Sequence, residues 1–158
     1  MKVMAQRTWK PREALELLEL PTPQPKKGEV RVKVQAIGVN PVDWKMRSSG
    51  PLRLAARVLG PKPPVVVGVD FAGVVEAVGP GVTRAVPGDR VVGGTNFSRG
   101  QRGCYADTVL VREDQLCWVP DTVDIAVAAA LPVSGVTAWM AVVDLGGISQ
   151  IPPADRRV

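Results

Sequence analysis

Apolar and polar positions alternate most cleanly over Glu29–Val39, EVRVKVQAIGV, where Val30, Val32 and Val34 share one face and Arg31, Lys33 and Gln35 the other. A period of two residues predicts a half-buried strand. Shorter alternating stretches predict strands over Met1–Gln6, Cys104–Glu113 and Leu116–Pro120, and Arg84–Gly94 reads as a PGD turn and another strand. The apolar run Val65–Val78 reads as a further strand, with Gly68 and Gly73 inside it, as at a bend or bulge of a barrel strand. Ala14–Leu20 consists of good helix formers, yet it lies between Pro11 and Pro21 and is too short to sustain a helix, so it reads as a strand.

Helical signals are confined to two places. Pro41 suits the first position of a helix and Asn40 the cap before it, which predicts a short helix over Val42–Arg47. From Asp121 onward the chain is rich in Ala, with apolar residues at helical spacing. Asp121 or Thr122 is the expected cap of a helix reaching Leu131; Pro132 opens a second helix, which Gly146–Gly147 stops. Between them, Ser48–Pro64 has glycine and proline at both ends and reads as an irregular lid or mouth loop. Residues 148–158 carry two prolines and begin what reads as one more strand.

Composition narrows the class. The 158 residues suffice for one domain with a core. Aromatic residues make up only 4%, so that core must rest on Val, Leu, Ala and Ile, while 16 Gly and 15 Pro punctuate short elements. A β-rich α+β domain fits this better than a helical bundle. The net charge of +5 is spread singly along the chain, without a basic run, and predicts no nucleic-acid partner. Cys104 and Cys117 make no disulfide framework, and no apolar leader or long apolar span occurs, which points to a cytoplasmic protein without a membrane partner.

The alternating strand, the Asn40–Pro41 helix start, GVDFAG (Gly68–Gly73), the turn PGDRV (Pro87–Val91) and YAD (Tyr105–Asp107) follow one another in a characteristic order, with ALPVSGVTAW (Ala130–Trp139) after them. This order resembles the GroES-like catalytic domain of medium-chain dehydrogenases/reductases. The resemblance implies a partly open β-barrel over residues 1–120, helices leading toward a cofactor domain over 121–147, and the cut-short start of a nucleotide-binding domain over 148–158. A Rossmann domain is expected to be absent from this sequence. AVGPGV (Ala77–Val82) lacks both the third glycine and the following helix of a dinucleotide loop, and reads as a hairpin turn.

The same resemblance places the family's zinc ligands at Asn40 and Val69, and the chain contains no histidine at all. It therefore implies the zinc-free quinone oxidoreductase and enone reductase branch, with NADPH as the cofactor of the complete enzyme and a quinone or α,β-unsaturated carbonyl as substrate. Asn40 and Lys45 are the implied catalytic residues; Asn40, Lys45 and Thr137 are the implied cofactor-side residues, and no metal is expected. Asp43 is expected to tie down local backbone or pair with a cation, and Asp70 to be structural. The branch's tyrosine after the Asn-Pro segment has no counterpart, Tyr105 being the only tyrosine. Negligible turnover is expected from this chain alone. The rival reading is a non-catalytic barrel whose helical face over Ala126–Leu145 pairs with a second copy or a separate cofactor domain.

Overall fold

The computed structural model describes residues 1–48 and 50–147. Eight strands form two antiparallel sheets: β1 (Lys2–Gln6), β2 (Glu16–Glu19), β3 (Glu29–Ile37), β4 (Val65–Val66), β5 (Asp70–Val78), β6 (Arg90–Gly94), β7 (Thr108–Arg112) and β8 (Leu116–Trp118). The larger sheet has the order β7-β3-β5-β6-β8 and the smaller β2-β1-β4. Together they make the partly open, β-rich barrel implied by the sequence. Every strand pairing among the described residues is antiparallel, so no parallel βαβ unit of a Rossmann domain is present there.

The alternation in β3 does what a period of two requires: Val30 and Val32 are buried, while Lys33 faces solvent. They meet Phe71, Val75, Val91, Val109, Val111 and Leu116 in the main core, with Phe71 its one large aromatic. The opposite face of the larger sheet is covered by α3 (Ile125–Ala129), through Ala128 and Ala129 against Ala72 and Val119. Asp124, rather than Asp121 or Thr122, caps α3: its Oδ1 accepts from the Ala126 and Val127 amides at 2.7 and 3.3 Å. Asp121 instead meets Arg90 at 3.4 Å.

Two predicted elements differ. The apolar run Val65–Val78 is divided at Gly68, whose φ of 99° ends β4 and turns the chain into β5 in the other sheet. The carbonyls around the turn are not wasted: Gly68 O accepts from the Cys104 amide at 3.1 Å and from Thr95 Oγ1 at 2.9 Å. The supposed loop Ser48–Pro64 contains α2 (Pro51–Leu59), packed on α1 (Pro41–Ser48). Its flanking glycine and proline are helix boundaries, with Pro51 at the start and Gly60 at the end, around a run of good helix formers.

Segment Gly103–Asp107 closes the seam between the sheets. The Gly103 and Tyr105 amides donate to Val66 and Val67 carbonyls, while Tyr105 O and the Asp107 amide pair with Met4 and Lys2 of β1. The predicted strand beginning at Cys104 is therefore regular only from Thr108. After α4 (Pro132–Trp139) the helix widens into a π-helical turn, Met140–Leu145, before Gly146. The strand expected from residues 148–158 lies outside the described residues, as does the expected start of a nucleotide-binding domain.

Candidate active site

The end of β3, the start of β5 and the seam segment converge at a pair of buried carboxylates. Asp70 is 1% exposed. Its Oδ2 accepts from Asn40 Nδ2 at 3.0 Å and from the Val133 backbone amide at 3.1 Å. The second bond satisfies one of the free amides in the first turn of α4 and places negative charge at that helix's positive end. Asp70 Oδ1 is buried without a hydrogen-bond partner among the described residues.

Asp43, in α1, is the other carboxylate and is also buried. Its Oδ2 accepts from the Asn40 amide at 2.8 Å and from the Tyr105 hydroxyl at 3.2 Å. It ties down local backbone, as expected, and among the described residues meets no cation in a salt bridge. Burial raises the Asp43 pKa, an effect the Asn40 and Tyr105 hydrogen bonds oppose and the neighbouring charge of Asp70 reinforces. Burial likewise pushes the Tyr105 phenol well up, with Asp43 adding to the effect, so it is a neutral donor at ordinary pH. The Cys104 thiol is driven up by burial and by Asp43, and donates to Asp70 O at 3.1 Å. It is an inert core thiol, whereas Cys117 is exposed.

The raised pKa of Asp43 has a definite consequence for stability. A carboxyl that holds its proton more tightly when folded adds stability below its ordinary value of 3.8, and that contribution is lost as pH rises through the folded value. Asp43→Asn removes this dependence and keeps an oxygen to accept both hydrogen bonds. Wild type should therefore lead the variant most at low pH, and its lead should shrink toward neutrality. Urea unfolding of both proteins across this range measures the difference; a lead that grows with pH contradicts the assignment.

Asn40 is thus clamped twice, by its backbone to Asp43 and by its side chain to Asp70. It occupies the cap position of α1, but its side chain is turned away from the helix. A carboxylate can only accept, so the amide nitrogen must face Asp70. Beside this clamp opens a cleft of about 970 Å³ with largely apolar walls. Val69 and Asp70, Val92 to Thr95 of β6 and its turn, Val42 and Met46 of α1, and Val133, Val136 and Thr137 of α4 line it.

The sequence-derived residues are distributed unequally. Thr137 lines the cleft, and Asn40 stands behind Asp70 at its wall. Lys45 is exposed, its Nζ lies 5.9 Å from the Trp44 ring centroid, and it does not line the cleft. Tyr105 was not assigned a place at the Asn-Pro segment, yet its hydroxyl reaches Asp43 from 62 residues away. The only sequence sign of this was a single tyrosine beside the seam, which carries no pairing information. Among the described residues no three His, Cys, Asp or Glu side chains converge as a metal ion would require.

Comparison with known proteins follows the same lines. The family described as alcohol dehydrogenase GroES-like domain matches residues 26–121. A chloroplastic quinone-oxidoreductase homolog of Spinacia oleracea is 34% identical over 145 residues, covering 92% of this chain and 42% of its own length. A trans-enoyl reductase of Fusarium mangiferae is 42% identical over 101 residues, covering 64% of this chain and 23% of its own length. The solved Escherichia coli quinone oxidoreductase complexed with NADPH superposes with a TM-score of 0.75 at 26% identity, over 90% of this chain and 40% of that one. The chain therefore spans less than half the length of these proteins.

Proposed function

Because the chain belongs to the medium-chain dehydrogenase/reductase family, whose alcohol dehydrogenase GroES-like domain it carries, we propose that it is the substrate-side portion of an oxidoreductase that reduces quinones or α,β-unsaturated carbonyls with NADPH and without zinc. The observation that carries this reading is the apolar cleft bounded by Thr137 and by the Asp70–Asn40 clamp. Its largely apolar walls suit a flat conjugated ring.

The residues present fit one end of the cofactor. Val69, Val133 and Val136 offer apolar contact to a nicotinamide ring, with the Thr137 hydroxyl at its edge. Among the described residues no glycine-rich strand–turn–helix offers amides to a pyrophosphate, so that part of the molecule needs a further domain. NADPH, when bound, supplies the hydride. Asp70 and Asp43 hold Asn40 rigid, and Asn40 orients the ribose or carboxamide side by hydrogen bonding. The negative charge that develops on the substrate oxygen then needs hydrogen-bond donors in a dry site rather than a metal. Lys45 joins this reading as a long cation in α1, by swinging its side chain from Trp44 toward the mouth. The residues at the family's zinc positions, Asn40 and Val69, do not fit the metal, because valine has no donor atom.

The test is to fuse the chain after residue 147 to the nucleotide-binding domain of a related quinone oxidoreductase. NADPH consumption is then followed by absorbance with benzoquinone or 2-cyclohexenone as acceptor. Acceptor-dependent consumption by the fusion, unchanged by a zinc chelator and lowered about tenfold or more by Asn40→Ala, is the expected result. A folded fusion that binds NADPH and turns over neither acceptor overturns the reading.

One observation favours a second reading, a non-catalytic pairing module. Beyond the cleft, Trp139, Met140 and Leu145 are all exposed, leaving an apolar face at the end of α4 and on the π-helical turn. Under this reading the face binds a second copy or a separate domain. A chain that stays monomeric in light scattering at high concentration counts against self-pairing.

A further inference from the structure

Helix α2 is amphipathic in the wrong sense for a globular protein. Viewed down its axis, Leu54, Val58, Ala55, Leu59 and Leu52 form one continuous arc of about 160°, and Arg53 and Arg57 occupy the other side. A surface helix normally turns its apolar arc to the core. Here the arc faces solvent: Leu54, Val58 and Leu59 are 61%, 73% and 56% exposed, and Leu52 43%. The side turned to the protein holds only Ala56 as a buried apolar residue, beside Arg53, whose guanidinium donates to the Trp9 carbonyl. On the adjoining α1, Trp44 is 56% exposed.

The charges around this arc share one sign. Between Asp43 and Asp70 the chain has no acidic residue and five basic ones. Arg47 and Arg53 are turned to Glu13 O and Trp9 O, which leaves Lys45, Arg57 and Lys62 exposed in α1, in α2 and shortly after it. A helix of nine residues is about 13 Å long and about 11 Å across, so this arc presents roughly 200 Å², far short of the ~800 Å² per partner that a stable protein dimer buries. Short apolar helices with an interfacial tryptophan and a basic border instead match the lipid–water boundary.

We propose that the α1–α2 face docks on an anionic lipid surface, with Leu54, Val58 and Leu59 inserted among the acyl chains and Arg57 and Lys62 on the headgroups. This is surface attachment and not a span, since no helix among the described residues is long and apolar enough to cross a membrane. α2 also packs on the turn Phe97–Arg99, and Phe97 and Ser98 line the cleft. The attached face therefore lies at the cleft's rim, where an apolar substrate would arrive from the bilayer. That last consequence alone rests on the function proposed above.

The test uses the full chain without cofactor or substrate, so it is independent of the enzymatic reading. The chain is sedimented with phosphatidylcholine vesicles and with mixed phosphatidylcholine–phosphatidylserine vesicles. Binding to the mixed vesicles that weakens with added salt is expected. The double variant Leu54→Glu/Val58→Glu, at exposed positions, should bind at least about tenfold more weakly with unchanged circular dichroism. Arg57→Glu/Lys62→Glu should lose the preference for phosphatidylserine. Absence of binding overturns the proposal. So does binding that the Leu54/Val58 variant leaves unchanged, which would assign it to the α4 face. A dimer without vesicle binding, dissolved by that variant, would give the surface to a second copy and equally overturn it.

Discussion

Gly68→Ala is expected to destabilise the protein by about 4 kcal/mol or more, a large part of the stability of an ordinary domain. Two costs add. The backbone at φ 99° is one that side-chain-bearing residues rarely adopt. A Cβ there would also lie 2.2 and 2.6 Å from Tyr105 Cδ1 and Cε1, and 2.9 Å from Cys104 Sγ. The Tyr105 ring cannot swing aside cheaply, because its hydroxyl is tied to Asp43 and its backbone closes the seam. Gly100→Ala is the matched control: φ is 70°, and nothing lies within 4 Å of its added Cβ. It should cost only about 1 kcal/mol, from backbone strain alone. Urea unfolding of the two variants separates these contributions, and equal losses would show that the contact with Tyr105 and Cys104 is relieved at little cost.

The second large effect is expected at Asp70. Replacement by alanine leaves Asn40 Nδ2 and the Val133 amide without the oxygen they share. Two hydrogen bonds to a charged acceptor at about 1.5–3 kcal/mol each give a loss of about 3–6 kcal/mol. Asp70→Asn keeps one oxygen able to accept both bonds and should lose less than about 1.5 kcal/mol. The effect also has a direction in space. Without Asp70 the first turn of α4 loses its anchor, so amide hydrogen exchange over Val133–Val136 should accelerate more than in the β3–β5 core. Uniform acceleration across the domain would mean that Asp70 supports the whole barrel and not the cleft wall.

What could be read in the sequence was local. Val30 and Val32 alternate with Arg31 and Lys33, so β3 announced itself, and the prolines around Ala14–Leu20 rightly disfavoured a helix there. The helix α2 escaped because Gly50, Pro51 and Gly60 mark a helix's ends as readily as a loop's. Gly68 was read as a bend or bulge within one strand, because a glycine in an apolar run does not reveal that the chain passes there into the other sheet. At the site, Asn40 was placed before α1 as a cap, but its side chain donates to Asp70. Its partner Asp70 lies 30 residues on, and the other group on that carboxylate, Val133, a further 63. Pairings of that range depend on how two sheets close, and residue spacing does not encode it. For the same reason Tyr105 could be noticed as the single tyrosine but not returned to Asp43.

The seam has a consequence for the order in which the chain acquires its structure. The Lys2 amide bonds Asp107 Oδ2 across 105 positions, and Val3 bridges Ala106. β1 precedes Ala106 and Asp107 by more than 100 residues, so it gains this partner only when they have followed. Contacts of such separation carry a high loop-closure cost and slow the final step. The five-stranded sheet, whose strands lie between residues 29 and 118, can form first. β1 then docks last, so variants that weaken it, at Val3 or Ala5, should chiefly speed unfolding and leave the refolding rate of the larger sheet nearly untouched.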